Sequence, residues 1–376
     1  MLKIVSVIGA RPQFIKAASV SRAIKEFNER HKQTNSKIKE IIVHTGQHYD
    51  YNMNDIFFKE LNLKKSDHHL NVGSHSHSKQ TALMLERIEG VLKKKAPDLV
   101  FVYGDTNSTL AGALAAKKLH LLLAHIEAGL RSYDMDMPEE VNRVVVDRIS
   151  DILFCPSRTA VKNLVLEGIT NSNSRKFPKV FLVGDVMYDA ILFYLNVAEN
   201  RSDIIRRLSL IPKKYYLATV HRAENTDNPV RLKSILESLV DIAKNRAPVI
   251  FPVHPRTKKA MGSLKIKLFT KSLKIIEPVS YLDMLLLEKN AKAILTDSGG
   301  VQKEACFLRV PCLTLRDETE WVETIDLGLN ILTGVNKNKI NKVLDRLARS
   351  SVEKSQPYGD GKASKRIIDI ISSLIN

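Results

Sequence analysis

Residues 293–304 read AILTDSGGVQKE. Ala293 to Thr296 is a short apolar run of strand length, and the amphipathic stretch beyond it opens on two glycines. Ser298 stands where a helix N-cap is expected, and Gly299 and Gly300 leave the first backbone amides of the helix open to an anion such as phosphate. Glu304 follows six residues after Ser298, about 9 Å further along a helix, a spacing that suits a carboxylate gripping ribose hydroxyls. A capped helix with a solvent-facing glutamate has the same spelling, so the segment alone leaves both readings open.

The same alternation fills the chain. In the first half it predicts strands at Lys3 to Ile8, Glu40 to His44, Leu99 to Tyr103, Leu121 to Ile126, Ile152 to Cys155 and Val180 to Val183. After Pro212 it restarts, with strands at Tyr215 to Val220, Val249 to Val253, Lys274 to Ile276, Ala293 to Thr296 and Cys312 to Leu315. Intervening segments such as Gln80 to Lys95 are helical. The pattern is that of α/β architecture with two Rossmann-like, doubly wound parallel sheets. The expected domains are 1–185 and 186–360, with a C-terminal helix over 361–376 packing back on the first.

Polar clusters end nearly every strand: Gly9-Ala10-Arg11-Pro12, Thr45-Gly46-Gln47-His48, Gly104-Asp105-Thr106, Glu127-Ala128-Gly129, His221-Arg222, His254-Pro255-Arg256 and Asp297-Ser298-Gly299-Gly300. Ligands of open parallel sheets bind beyond the carboxyl ends of the strands, so one interdomain cleft served by both halves is the expectation. Turns need Gly, Asp and Ser in any case, and it is the joint occurrence that points to a site. His221, Arg222 and Arg256 would address the oxygens of a diphosphate.

Asp105, Glu127 and Glu139 are the candidate acid/base groups, since facing carboxylates suit removal and return of a proton. Each also has a structural explanation: Asp105 as a helix cap, Glu127 as a partner of Arg131, Glu139 as an acid in a first helical turn after Pro138. Arg11 and Lys16 flank a helix start with Pro12 in its first turn, placing Arg11 near the positive helix end.

Other classes are disfavoured. Neither GxGxxG after a strand nor GxxxxGK[ST] occurs, so no dinucleotide cofactor or P-loop is expected. His68, His69, His75 and His77 fit no defined zinc spacing, and no metal is expected. The net charge is +17, and residues 201–280 carry 17 Lys or Arg against 6 Asp or Glu. That excess lacks interleaved aromatics and any nucleic-acid motif, and is read as a solvated lysine-rich face with no nucleic-acid partner. No apolar run reaches the length of a membrane span. Three cysteines without a CxxC pair fit a reducing compartment, which makes the cytoplasm the expected location.

Several long motifs in order carry a resemblance: GARPQFIK, VYGDTNST, HIEAGLRS, MPEEVNR, VHRAEN, LTDSGGVQKEA, RDETEW and PYGDGKAS. The chain resembles the non-hydrolysing UDP-N-acetylglucosamine 2-epimerases over nearly its whole length. The resemblance implies the glycosyltransferase-B fold, a homodimer, a UDP-sugar substrate, and anti-elimination of UDP followed by re-addition through a 2-acetamidoglucal. It implies acid/base roles for Asp105, Glu127 and Glu139, with Arg11 and Lys16 nearby. His221, Ser298, Gly299, Gly300 and Glu304 would hold diphosphate and ribose.

Gln47 and His48 fall where some members bind a second UDP-N-acetylglucosamine; Lys79 here replaces an arginine of that site. Gln13 stands where many members have glutamate. GARPQFIKAA and RDETEWVE are more similar to the branch acting on UDP-2,3-diacetamido uronates. A glycosyltransferase of the same fold, a hydrolysing epimerase and a silent nucleotide-sugar sensor are the competing expectations.

Overall fold

The computed structural model describes residues 1–32, 36–47, 65–171, 178–264, 270–347 and 357–375. It divides into two compact units: Met1–Leu192 with Pro357–Asn376, and Phe193–Gln356. The helix Val186–Arg201 carries the chain from the first unit into the second.

The first unit holds a seven-stranded, wholly parallel sheet. Its strands are β1 (Leu2–Ile8), β2 (Ile38–His44), β3 (His68–His69), β4 (Leu99–Tyr103), β5 (Leu122–Ile126), β6 (Ile152–Cys155) and β7 (Lys179–Leu182). They lie in the order β3-β2-β1-β4-β5-β6-β7, so connections reverse direction between β1 and β4. β4 is buried at all five positions because helices cover both faces. The core on one face joins Val5, Val7, Val100 and Val102 to Met84, Ile88 and Ala113 of the helices His77–Lys95 and Asn107–Lys118.

The second unit repeats the plan with β8 (Tyr216–Thr219), β9 (Val249–Pro252), β10 (Leu273–Ile276), β11 (Ala293–Thr296), β12 (Cys312–Thr314) and β13 (Asn330–Leu332). The order is β10-β9-β8-β11-β12-β13, again reversing between the first strand and the fourth of the unit. Leu232, Leu236 and Leu239 of the helix Pro229–Asn245 pack on Ala218, Val249 and Phe251.

The C-terminal helix Ala363–Ile375 belongs to the first unit, where it packs on the helix Arg11–Arg30. Asp189 accepts its opening amides, Ala363 N at 3.1 Å and Ser364 N at 2.7 Å, the task of an N-cap carboxylate supplied from elsewhere in the unit. Among the described residues no helix is long and apolar enough to cross a membrane.

Candidate functional site

In the first unit the polar groups gather where β1, β4 and β5 end. Gly104 follows β4 at φ +62°, and a Cβ there would lie 3.2 Å from Lys16 Nζ and 3.8 Å from Glu127 Oε2. Lys16 and Glu127 form a close ion pair, each less than a tenth exposed. Glu127 adopts φ +76°, a left-handed conformation that costs a non-glycine residue about 1–3 kcal/mol and persists where the surrounding structure holds it.

Asp105 pairs with Arg143 of the helix Pro138–Ile149, and Arg143 also binds Glu140 at 2.6 Å. Burial alone would push the Asp105 carboxyl up, but the Arg143 guanidinium and the Lys16 ammonium outweigh it and hold it below the usual carboxylate range. Asp105 is therefore ionised and able to accept a proton. Burial likewise opposes ionisation of Glu140, which is held low by the amides of Ser132 at 2.9 Å and Tyr133 at 3.0 Å and by Arg143.

Beneath these groups lies a fully buried network. His125 Nδ1 meets Asp147 at 2.7 Å, its Nε2 meets the Gly104 carbonyl at 2.7 Å, and Arg131 donates to Asp147 at 2.6 Å. It fixes the end of β4 from below. Arg131 also donates to the Leu130 carbonyl at 2.7 Å and to Glu167 at 2.6 and 2.7 Å, so the sequence expectation of an Arg131–Glu127 pair is replaced by Lys16–Glu127. Nor does Asp105 cap the next helix: Thr106 does, accepting from Thr109 N.

Glu139 is exposed in the first turn of the helix Pro138–Ile149 and makes no hydrogen bond or ion pair among the described residues. Gln47 accepts from the hydroxyl of Ser108 at 2.7 Å. Arg11 opens the helix Arg11–Arg30. His48 lies outside the described residues.

In the second unit Asp297 is the hub. Completely buried just after β11, it accepts the amides of His221 at 3.0 Å and Arg222 at 3.1 Å and the side chain of Asn225 at 3.0 Å. One carboxylate thus ties the turn after β8 to the turn after β11. Burial lowers the basicity of the His221 imidazole against the pull of Asp297, and His254 and Arg222 push the same way. A neutral ring results, one that offers a hydrogen bond rather than a charge.

Ser298 occupies the N-cap position of the helix Gly299–Phe307, yet its hydroxyl makes no capping bond; its amide donates to Thr296 Oγ1 at 2.9 Å. Gly300 is exposed. A Cβ on Gly299 would lie 2.5 Å from Glu320 Oε1 and 3.2 Å from Trp321 Nε1, so an added methyl group would displace the Glu320 side chain. Glu304 sits further along this helix, its carboxyl beside that of Glu288 of the helix Tyr281–Asn290. Two carboxyl groups can bond only if one carries a proton. Complete burial, reinforced by the Glu304 charge, pushes Glu288 well up, so Glu288 holds it. Arg256 is turned to Asp227 at 2.6 Å.

Sequence reasoning missed Arg143, Asp297 and Glu288 as organising residues. Arg143 and Asp297 lie inside quoted motifs, MPEEVNR and LTDSGGVQKEA, where their spacing from the candidate residues is the available signal. Glu288 carries no such signal, because its partner comes from another helix.

Comparisons with known proteins identify relatives that match over nearly the whole chain. The UDP-N-acetylglucosamine 2-epimerase family model matches residues 30–372. A UDP-N-acetylglucosamine 2-epimerase homolog of Methanococcus maripaludis is 51% identical, the match covering 99% of this chain and 100% of that one. The UDP-2,3-diacetamido-2,3-dideoxy-D-glucuronate 2-epimerase of Pseudomonas aeruginosa is 49% identical over the same shares of both chains. The crystal structure of Methanocaldococcus jannaschii UDP-GlcNAc 2-epimerase in complex with UDP-GlcNAc and UDP superposes with a TM-score of 0.85 at 46% identity, covering 99% of this chain and 100% of that one. With two parallel-sheet units of matching topology and full-length identity near one half, the chain belongs to the UDP-N-acetylglucosamine 2-epimerase family.

Proposed function

We propose that the chain inverts C2 of UDP-N-acetylglucosamine, giving UDP-N-acetylmannosamine by anti-elimination of UDP and re-addition through a 2-acetamidoglucal. The observation that carries this reading is the paired set Asp105–Arg143 and Glu127–Lys16 at the ends of β4 and β5. C2 has no neighbouring carbonyl to acidify its hydrogen, so departure of UDP has to supply the driving force. Cations and dipoles must then stabilise the leaving diphosphate. The open amides at Gly299 and Gly300, with neutral His221, suit that task, and Glu304 suits the ribose. Asp105 and Glu127, with Glu139, exchange the proton on opposite faces of the sugar. No redox cofactor enters this route. A homodimer, as the resemblance implies, and a cytoplasmic location, as the cysteine usage suggests, are part of the reading.

A second reading, the same inversion on a UDP-2,3-diacetamido uronate, is favoured by the 49% identity to the Pseudomonas enzyme. Incubation with each nucleotide sugar in heavy water, followed by NMR at C2, tests both. Deuterium at C2 without an acceptor is expected, and the faster substrate names the branch. Free sugar would instead indicate hydrolysis, and no exchange with either compound would overturn the proposal.

A further inference from the structure

Trp321 is the single tryptophan of the chain and is only 7% exposed, yet its indole nitrogen has no hydrogen-bond partner among the described residues. An indole N–H only donates, and a buried donor left unsatisfied is destabilising. Nothing in the packing suggests accident. The Trp321 amide donates to Thr319 Oγ1 at 3.3 Å, and its carbonyl accepts from Thr324 Oγ1 at 2.6 Å, so the backbone is held on both sides. Lys303 Nζ lies 4.3 Å from the ring centroid, a cation–π contact that fixes the ring and adds positive charge beside it.

The unsatisfied nitrogen faces a particular place. It lies 3.2 Å from the position of a Cβ on Gly299, the first residue of the helix Gly299–Phe307. The opening amides of that helix have no intrahelical acceptor, and its dipole favours an anion there. Glu320 Oε1 also approaches Gly299, but the Glu320 carboxylate is paired through Oε2 with Arg316 at 3.1 Å, which offsets its charge. Helix start, Lys303 and stranded indole together form a donor set for an anionic group.

We infer that the Trp321 indole N–H donates a hydrogen bond to the diphosphate of the nucleotide seated at the start of the helix Gly299–Phe307. This rests on the UDP-sugar reading above and adds a binding residue to it.

The lone tryptophan gives a direct test, because the tryptophan-¹⁵N-labelled protein has one indole N–H resonance. Titration with UDP is expected to move that proton downfield, whereas uridine, which lacks the diphosphate, leaves it in place. By calorimetry, Trp321→Phe should weaken UDP binding about tenfold, the size of one hydrogen bond to a charged acceptor, and leave uridine binding unchanged. If wild type binds UDP calorimetrically while the indole proton stays still or moves equally with uridine, the inference is overturned, whether or not the variant folds. If wild type binds no UDP, the parent reading fails and this one with it.

Discussion

The turn after β1 and the turn after β11 are built from the same parts, a buried parallel strand running into a helix, and they are finished in opposite ways. After β1 the amides of Gly9 and Ala10 are both taken by Gln13 Oε1, at 2.8 and 3.0 Å, so this helix start is closed by its own chain. After β11 the N-cap hydroxyl makes no capping bond and Gly300 stays exposed. The first unit also pairs the carboxylates on its strand ends with cations, whereas the second spends Asp297 on amides. On the proposed function, one unit holds and moves a proton and the other grips an anion. A shared fold therefore fixes where a site lies, and the filling of each turn decides its chemistry.

The division is broken most sharply by removing a carboxylate from the first unit. Glu127→Gln should slow deuterium exchange at C2 by about 10³-fold, the scale of a lost general acid or base, with UDP affinity unchanged. It also leaves Lys16 buried beside a neutral partner, so stability should fall. Adding Lys16→Met should restore part of the stability without restoring exchange, because it removes the under-compensated charge while Asp105 keeps Arg143. Parallel loss of UDP affinity in Glu127→Gln would mean that the two sets are not divided by task.

Gln13 tests the closed turn. Its Nε2 donates to the Tyr103 carbonyl at 2.8 Å and to Thr109 Oγ1 at 2.9 Å, with the side chain 1% exposed. Gln13→Glu keeps the acceptor for Gly9 and Ala10 but sets an anion against the Tyr103 carbonyl. The Thr109 hydroxyl, now donated to that carbonyl at 2.7 Å, can turn to satisfy only one of the two. A loss of about 2 kcal/mol is expected by chemical denaturation at neutral pH. The loss should shrink in acid, where the new carboxyl regains a donor.

Much of this could be seen in the letters and some could not. β4, β6 and β11 have the bounds that the sequence predicts, since each is a continuous apolar run, buried on both faces and stopped by a turn residue. β3 and β13 went unpredicted: they are edge strands of two and three residues, and His68–His69 and Asn330–Leu332 have no apolar periodicity to detect. At the site, strand-end position made Asp105, Glu127 and the Gly299-Gly300 pair visible. What each side chain pairs with was not, because Arg143, Lys16 and Glu288 reach their partners across helices, through contacts that no local spacing encodes. Gln13 stood out only as a departure from a family pattern, and the four hydrogen bonds of its amide could not be read from the sequence.

Gly299→Ala tests the open turn with a single methyl group. The added Cβ would press on Glu320 Oε1, and the glutamate would have to give up its bond to Arg316 or shift the helix start. About a tenfold loss of UDP affinity is expected by calorimetry, with proton exchange at saturating substrate little changed. A fall in exchange at saturation instead would place this turn among the proton-handling groups.

The smallest effect separates the units by pH. Asp105, Asp147 and Glu140 have folded-state carboxyls held below their ordinary values, so they add stability that is present above pH 4.5 and lost as the pH falls through those lowered values. Glu288 runs the other way. Its carboxyl is raised well above the ordinary 4.5, so the folded state binds a proton that the unfolded state has released, and stability declines as the pH rises from 4.5 toward the raised value. Glu288→Gln keeps a donor for Glu304 and cannot ionise. At pH 5 its thermal midpoint should lie within about 2–4 °C of wild type, and the gap should move in the variant's favour as the pH is raised to 8. The groups near Glu288 are Glu304, Tyr215 and Cys312; burial pushes the last two upward, so neither changes charge in this window. A gap that stays constant with pH would show Glu288 to be ionised in the folded protein, and the grip on Glu304 would then need another source.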